Sequence, residues 1–204
     1  MRALVATVLF ATLSFASTAR AATLQTAVFA GGCFWGVEAV FEHVKGVKSV
    51  VSGYIGGTVV NPDYETVSNG RTGHAEAVKV TFDPAVVSYE TLLAVFFTVA
   101  HNPTELNRQG PDVGTQYRSA IFFANAAQQQ SATTVIAQLT QAKVYPRPIV
   151  TQVTTLTKFY DAEPYHQNYL YSHTDQPYIV YNDLPKIDAL KKQYPALWEK
   201  TQGK

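Results

Sequence analysis

Sulfur is nearly missing from this sequence: Cys33 is the one cysteine in 204 residues. An internal disulfide framework and a cysteine-rich zinc site each need at least two sulfurs, so both are excluded. Any redox chemistry of Cys33 must therefore engage a second molecule. Charge is also scarce, at 15% of residues, with 16 Lys+Arg against 15 Asp+Glu. No run of basic residues is dense enough to hold a phosphate backbone, so no nucleic-acid partner is expected. Beyond the N-terminus no apolar run approaches the roughly 20 residues of a bilayer span, and the best candidate, 92–100, reads as a short buried helix.

The N-terminus itself reads Met1-Arg2, an apolar run over 3–16, then Ser17-Thr18-Ala19-Arg20-Ala21. Those are the charged, apolar and small-residue regions of a secretory signal, with cleavage expected after Ala21, and the run is too short for an anchor. The expectation is an exported protein, periplasmic or secreted, free of the membrane once the signal is removed. Residues 22–204 are expected to form one domain, and a monomer.

What is abundant is apolar and aromatic: 47% hydrophobic and 12% aromatic residues, enough for a real core. A short apolar run at 24–30 ends in Gly31-Gly32. From there Cys33, Val37, Val40, Phe41 and Val44 recur at helical spacing. Strands are expected at 47–54 and 74–82, a helix from Ser88 to about 100, a strand at 118–124, a helix from Asn125 to 143, and a last strand at 149–156. The first six elements form the split βαβ pattern of a ferredoxin-like α+β sandwich. Two long connections, 55–73 and 101–117, carry aromatic, Asn and Arg residues and read as functional. The tail after Thr157 holds one short helical candidate, 164–172, and is expected to be irregular and to wrap the domain.

Cys33 falls where a Gly-Gly turn meets a helix start, so free backbone N–H groups and the helix dipole are expected to lower its pKa. The plainer reading is a buried structural thiol, because Cys33 is in phase with the apolar stripe. Phe34 and Trp35 follow at once, either as core or as an apolar cup for a small substrate group. Glu76 shares a strand face with Val78, Val80 and Phe82; there a carboxyl without a partner holds its proton and acts as a donor. The competing readings place it in water or pair it with Arg71 or Arg118. Tyr54 and Tyr117 end and precede strands at the same expected mouth. His74, His101, His166 and His173 show no ligand spacing with Cys33, and no metal is assigned.

The motif Gly32-Cys33-Phe34-Trp35-Gly36-Val37-Glu38 resembles the signature of the A-type peptide methionine sulfoxide reductases. Four further blocks resemble family segments in family order: Gly53-Tyr54-Ile55-Gly56-Gly57, Gly73-His74-Ala75-Glu76-Ala77-Val78, the run from Asn107 to Ser119, and Glu163-Pro164-Tyr165-His166-Gln167. The resemblance implies Cys33 as nucleophile, Glu76 as proton donor, and Tyr54 and Tyr117 as hydrogen-bond donors to the sulfoxide oxygen. Phe34 and Trp35 would hold the methyl group, with Asp112 in support. It further implies no bound cofactor, oxidised proteins or free methionine sulfoxide as substrates, and selectivity for one sulfoxide epimer, the S form.

Two departures from the family pattern stand out. The later cysteines that resolve a sulfenic acid in many members are missing, so a thioredoxin-like protein or a small thiol must finish the cycle. Asn102 stands where Asp is common, which removes a charge from the second long loop. Two rival readings remain at this point: a thiol peroxidase working through the same sulfenic acid, and a secreted binding module with an inert Cys33.

Overall fold

Alternating side chains build the sheet, and helix caps set where the covering layer begins. The computed structural model describes residues 23–201, so the expected signal segment lies outside the described residues. The chain runs β1 (Gln25–Gly31), α1 (Phe34–Glu42), β2 (Val47–Ile55), α2 (Tyr64–Ser68), β3 (Ala75–Phe82) and α3 (Tyr89–Val95), which continues as a π-helical turn over Phe96–Ala100. Two-residue strands β4 (Arg108–Gln109) and β5 (Asp112–Val113) follow, then β6 (Ser119–Phe123) and α4 (Ala126–Gln141). The chain ends through β7 (Gln152–Thr155), β8 (Tyr160–Asp161), α5 (Tyr169–Ser172) and α6 (Leu184–Gln193).

The main sheet has the order β7-β6-β1-β3-β2-β8. Its inner four strands, β6-β1-β3-β2, are antiparallel at every pairing and are joined through α1 and α3, which is the split βαβ arrangement expected from the sequence. Strand β7 adds in parallel beside β6, and β8 closes the other edge against β2. The caps fall where the residues ask for them. The Ser88 hydroxyl accepts from Thr91 N–H at the start of α3, and the Asn125 side chain accepts from Gln128 N–H at the start of α4.

The pleat sorts the strand residues onto two faces. Phe29, Val78, Val80, Phe82 and Ile121 join the helices in the large core. Val28, Ala30, Ala75, Ala77 and Phe122 turn to the opposite face, beneath Leu156 and Phe159. Glu76 alternates with Ala75 and Ala77, so it points to the helical side, as its phase predicts.

Three local expectations need correction. The loop over 55–73 contains α2, whose Asp63 carboxylate accepts from Thr66 N–H while Thr66 reaches back to Asp63 N–H, a capping box. The strand expected at 149–156 as the last one starts only at Gln152, because Val150 N–H is taken by the Pro103 carbonyl, and β8 follows it. The tail is far more regular than expected: α6 carries Pro185 in its first turn and buries Leu190 in the main core, with Ile187 packed on a smaller cluster. Its lysine-rich surface hid that stripe.

Candidate active site

Strand β1 hands the chain to α1 through Gly31-Gly32. Gly32 has φ +93°, and a Cβ there would lie 2.5 Å from the Gln109 side chain, so only glycine fits. Gln109 is in turn clamped by the backbone of Asn102, accepting from its N–H and donating to its carbonyl. The Asn102 side-chain oxygen accepts from both the Thr104 N–H and hydroxyl, work that a neutral amide does as well as a carboxylate. The second long loop is thus tied to the cysteine turn.

Cys33 is the N-cap of α1 and is 7% exposed. Of the free amides at the helix start, Phe34 N–H donates to Glu76 Oε2 at 3.1 Å, whereas the Cys33 side chain takes no capping hydrogen bond and Trp35 N–H only draws its pKa down. One N–H is too little to lower the thiol's pKa. Burial pushes it well above the ordinary value, and the Glu76 and Asp183 carboxyls push the same way, against Trp35 N–H and the Lys186 ammonium. The expected depressed thiol is therefore corrected: Cys33 holds its proton at neutral pH.

Glu76, 1% exposed, is pushed up to about 8 by burial, with Asp112 adding to the shift and Phe34 N–H opposing it. It is mostly protonated at neutral pH, the state a proton donor requires.

A cavity of about 210 Å³ opens beside these two groups. It is lined by Cys33, Phe34, Trp35, Glu76, Asp112 and Tyr117, all singled out in the sequence, and by Tyr64, Gln176 and Tyr178, which were not. Tyr54 does not line it. In register it sits opposite Glu76 on β2, but its ring lies behind Phe34 and its hydroxyl donates to Glu163 Oε2 at 2.9 Å. Its expected place at the cavity is taken by Tyr64, at the first position of α2, whose N–H donates to Glu163 Oε1. The capping box Asp63-x-x-Thr66 was the signal for that turn. For Tyr178, delivered by the tail, no local signal existed; its hydroxyl donates to Asp112.

The tail also explains its own motif. His166 Nδ1 accepts from the Trp35 indole N–H at 3.1 Å, so the imidazole is neutral, as burial favours. Tyr169 stacks on the other side of Trp35 with centroids 3.8 Å apart. Gln167 bonds both the N–H and the carbonyl of Ser52, stitching the tail to β2. The other histidines are likewise occupied by the fold: His74 by Gly57 N–H and the Val59 carbonyl, His101 by Ser119 and the Phe96 carbonyl, and His173 by the Tyr169 carbonyl. Among the described residues no group of three His, Cys, Asp or Glu could hold a metal ion.

A thiol and a protonated carboxyl at one helix start, facing a small cavity walled by aromatic rings and hydroxyls, define a cysteine-dependent catalyst acting on a small polar group. The family model for peptide methionine sulfoxide reductase matches residues 25–198, and the chain belongs to that family. It is 60% identical to peptide methionine sulfoxide reductase MsrA 2 of Mesorhizobium japonicum, over 85% of this chain and 89% of that protein. It is 54% identical to MsrA of Deinococcus radiodurans, over 83% of this chain and 82% of that protein. The structure of methionine sulfoxide reductase A of Corynebacterium diphtheriae superposes with a TM-score of 0.65 at 34% identity, covering 74% of this chain and 76% of that one.

Proposed function

We infer that this chain reduces methionine (S)-sulfoxide, free or in proteins, to methionine with electrons from an external thiol, and so repairs oxidised proteins. The observation that carries the reading is the shared start of α1, where the Phe34 N–H ties Glu76 beside Cys33 at the wall of one cavity. A methyl sulfoxide is a small pyramidal group with a positive sulfur, a negative oxygen and an apolar methyl. Phe34 and Trp35 offer the apolar wall, and Glu76, Tyr64 and Tyr117 offer O–H donors for the oxygen. With the oxygen so held, the positive sulfur faces Cys33 and favours the thiolate that burial disfavours.

The thiolate attacks the sulfoxide sulfur while Glu76 gives its proton to the oxygen. The oxygen passes to the Cys33 sulfur. Methionine leaves with two electrons gained, and Cys33, having lost two, is left as a sulfenic acid. The proton surrendered by the thiol restores Glu76. No second cysteine exists to trap the sulfenic acid, so two equivalents of thiol, from a thioredoxin-like protein or a small thiol, return Cys33 and release water. Family membership removes the support for the peroxidase and inert-module alternatives.

The same reading takes the enzyme to be exported, which the 1–21 signal pattern supports. Dithiothreitol-dependent turnover of each sulfoxide epimer tests the function: the S epimer is reduced, the R epimer is not, and Cys33→Ser is inactive. Equal rates on both epimers would overturn it.

A further inference from the structure

Two of the three O–H donors at the cavity come from separate walls: Tyr64 is the first residue of α2, and Tyr117 is the last of a 3-10 turn over Thr115–Tyr117. The walls are joined by Gln116, which does not line the cavity and is 4% exposed. Its Nε2 donates to the carbonyl of Ser68, the last residue of α2, at 2.8 Å. Among the described residues this is the one hydrogen bond between α2 and that turn. The amide lies between a glycine of each wall. A Cβ on Gly114, φ +143°, would lie 2.2 Å from Gln116 Oε1, and one on Gly70, φ +76°, would lie 3.2 Å from it. Gly114 opens the turn by accepting from Tyr117 N–H at 3.0 Å, and Gly70 closes α2 by donating to the Val67 carbonyl at 2.9 Å. Stability alone does not call for glutamine here. Oε1 is buried with no hydrogen-bond partner, which offsets what the Ser68 bond contributes, and an apolar side chain of the same length would fill the space without that cost. What the amide adds is a bond of fixed length between the two walls.

We propose that Gln116 is a positioning residue for the reaction: by tying Ser68 to the turn that carries Tyr117, it sets the separation of the Tyr64 and Tyr117 hydroxyls so that both reach one sulfoxide oxygen. The proposal rests on the reading of that oxygen as the group these phenols hold. Two donors serve one oxygen only when each comes within about 2.7–3.1 Å of the same point. Neither wall meets that condition by itself. Helix α2 is fixed from its other end by Asp63 and Glu163, and the turn by Gly114 and by the Arg118 guanidinium, which donates to the Thr115 and Gly73 carbonyls. Each wall is thus anchored to its own surroundings, and Gln116 relates one to the other. Glu76 hangs from β3 with its hydrogen bond to Phe34 N–H, so the proton source stays in place when Gln116 is changed.

The test is a double-mutant cycle on kcat/KM for methionine (S)-sulfoxide with dithiothreitol as reductant. Gln116→Met keeps the length of the side chain and removes the amide, and is expected to lower kcat/KM about tenfold. In a Tyr64→Phe enzyme, and equally in a Tyr117→Phe enzyme, one of the two hydroxyls is already gone, and the same substitution should cost no more than about twofold. Damage that does not act through the phenols gives the same factor in all three backgrounds. That result would overturn the proposal, and so would an unchanged kcat/KM in Q116M alone. Should Q116M fail to fold, Gln116→Asn, whose amide is one methylene too short for the Ser68 carbonyl, enters the same cycle with the same expectations. A wild-type enzyme that leaves the sulfoxide unreduced, or full rates in both Tyr→Phe enzymes, would bring down the functional reading of the site and this proposal with it. Equal factors in an active enzyme that the Tyr→Phe changes slow would bring down the proposal alone.

Discussion

Glu76 keeps its proton because burial costs a carboxylate more than the single Phe34 N–H returns. Glu76→Gln preserves an acceptor for that N–H and removes only the transferable proton. Methionine release in a single turnover should fall by about 10²- to 10⁴-fold, with substrate binding far less affected. An intact rate would make Glu76 a structural acid. The tyrosines separate in the same assay. Tyr64→Phe and Tyr117→Phe each remove one donor from several and should cost less than the loss of Glu76. Tyr54→Phe should leave the rate alone and cost about 1–2 kcal/mol of stability, because Glu163 Oε2 loses the donor it accepts from. Equal rate losses for Tyr54→Phe and Tyr64→Phe would return Tyr54 to the cavity.

Helix α1 is the element on which the site is assembled, since its first amide serves the acid, its N-cap is the thiol and its Gly36 receives the tail. Gly36→Ala must displace Asp183, and the strain should cost about 1–3 kcal/mol in denaturant unfolding, with α6 the first part released. A variant as stable as wild type would show that the tail does not press on α1. Helix α2 is a smaller case of the same logic, for its one turn holds Tyr64 at the cavity through Asp63 and Glu163. Asp63→Ala removes the cap at a cost of about 1 kcal/mol. It should raise KM more than it lowers kcat, because Tyr64 is then held less well; a pure loss of kcat would contradict that.

Across the whole molecule, three of the buried titratable groups bear strongly on how stability follows pH. His101 is held down to about 4 from an ordinary 6.5, chiefly by burial. Its neutral form suits the fold, so its contribution is full above 6.5 and is lost as pH falls toward 4. Glu76 and Glu38 are both pushed up to about 8 from 4.5, mainly by burial. The folded state binds their protons more tightly, so their contribution is full below 4.5 and is lost as pH rises toward 8. Thermal stability should therefore decline between about pH 6.5 and 8. Glu38→Gln keeps an acceptor for Asn168 N–H and should flatten that decline. A wild-type stability that rises over this interval would show the signs to be wrong. The single cysteine makes a second global prediction: without reductant the enzyme should release one equivalent of methionine and leave a sulfenic acid that dimedone labels at Cys33. Two equivalents would break the scheme.

The amino-acid sequence by itself determined the inner strands β1, β2, β3 and β6 and the helices α1, α3 and α4, because period two in Ala75–Phe82 and period 3.6 after Cys33 are local properties of the backbone. It also determined that Glu76 faces the helices and that Cys33 opens one, since a strand's phase and a Gly-Gly turn are written in neighbouring residues. The protonation of Cys33 was decided only by the tertiary structure. A pKa sums burial and charge over groups far apart in the chain, and here the Asp183–Lys186 pair arrives from the tail. The exchange of Tyr54 for Tyr64 was decided there too: both sit near Glu76, and only the folded position of Glu163 takes up the hydroxyl of the first and the backbone N–H of the second.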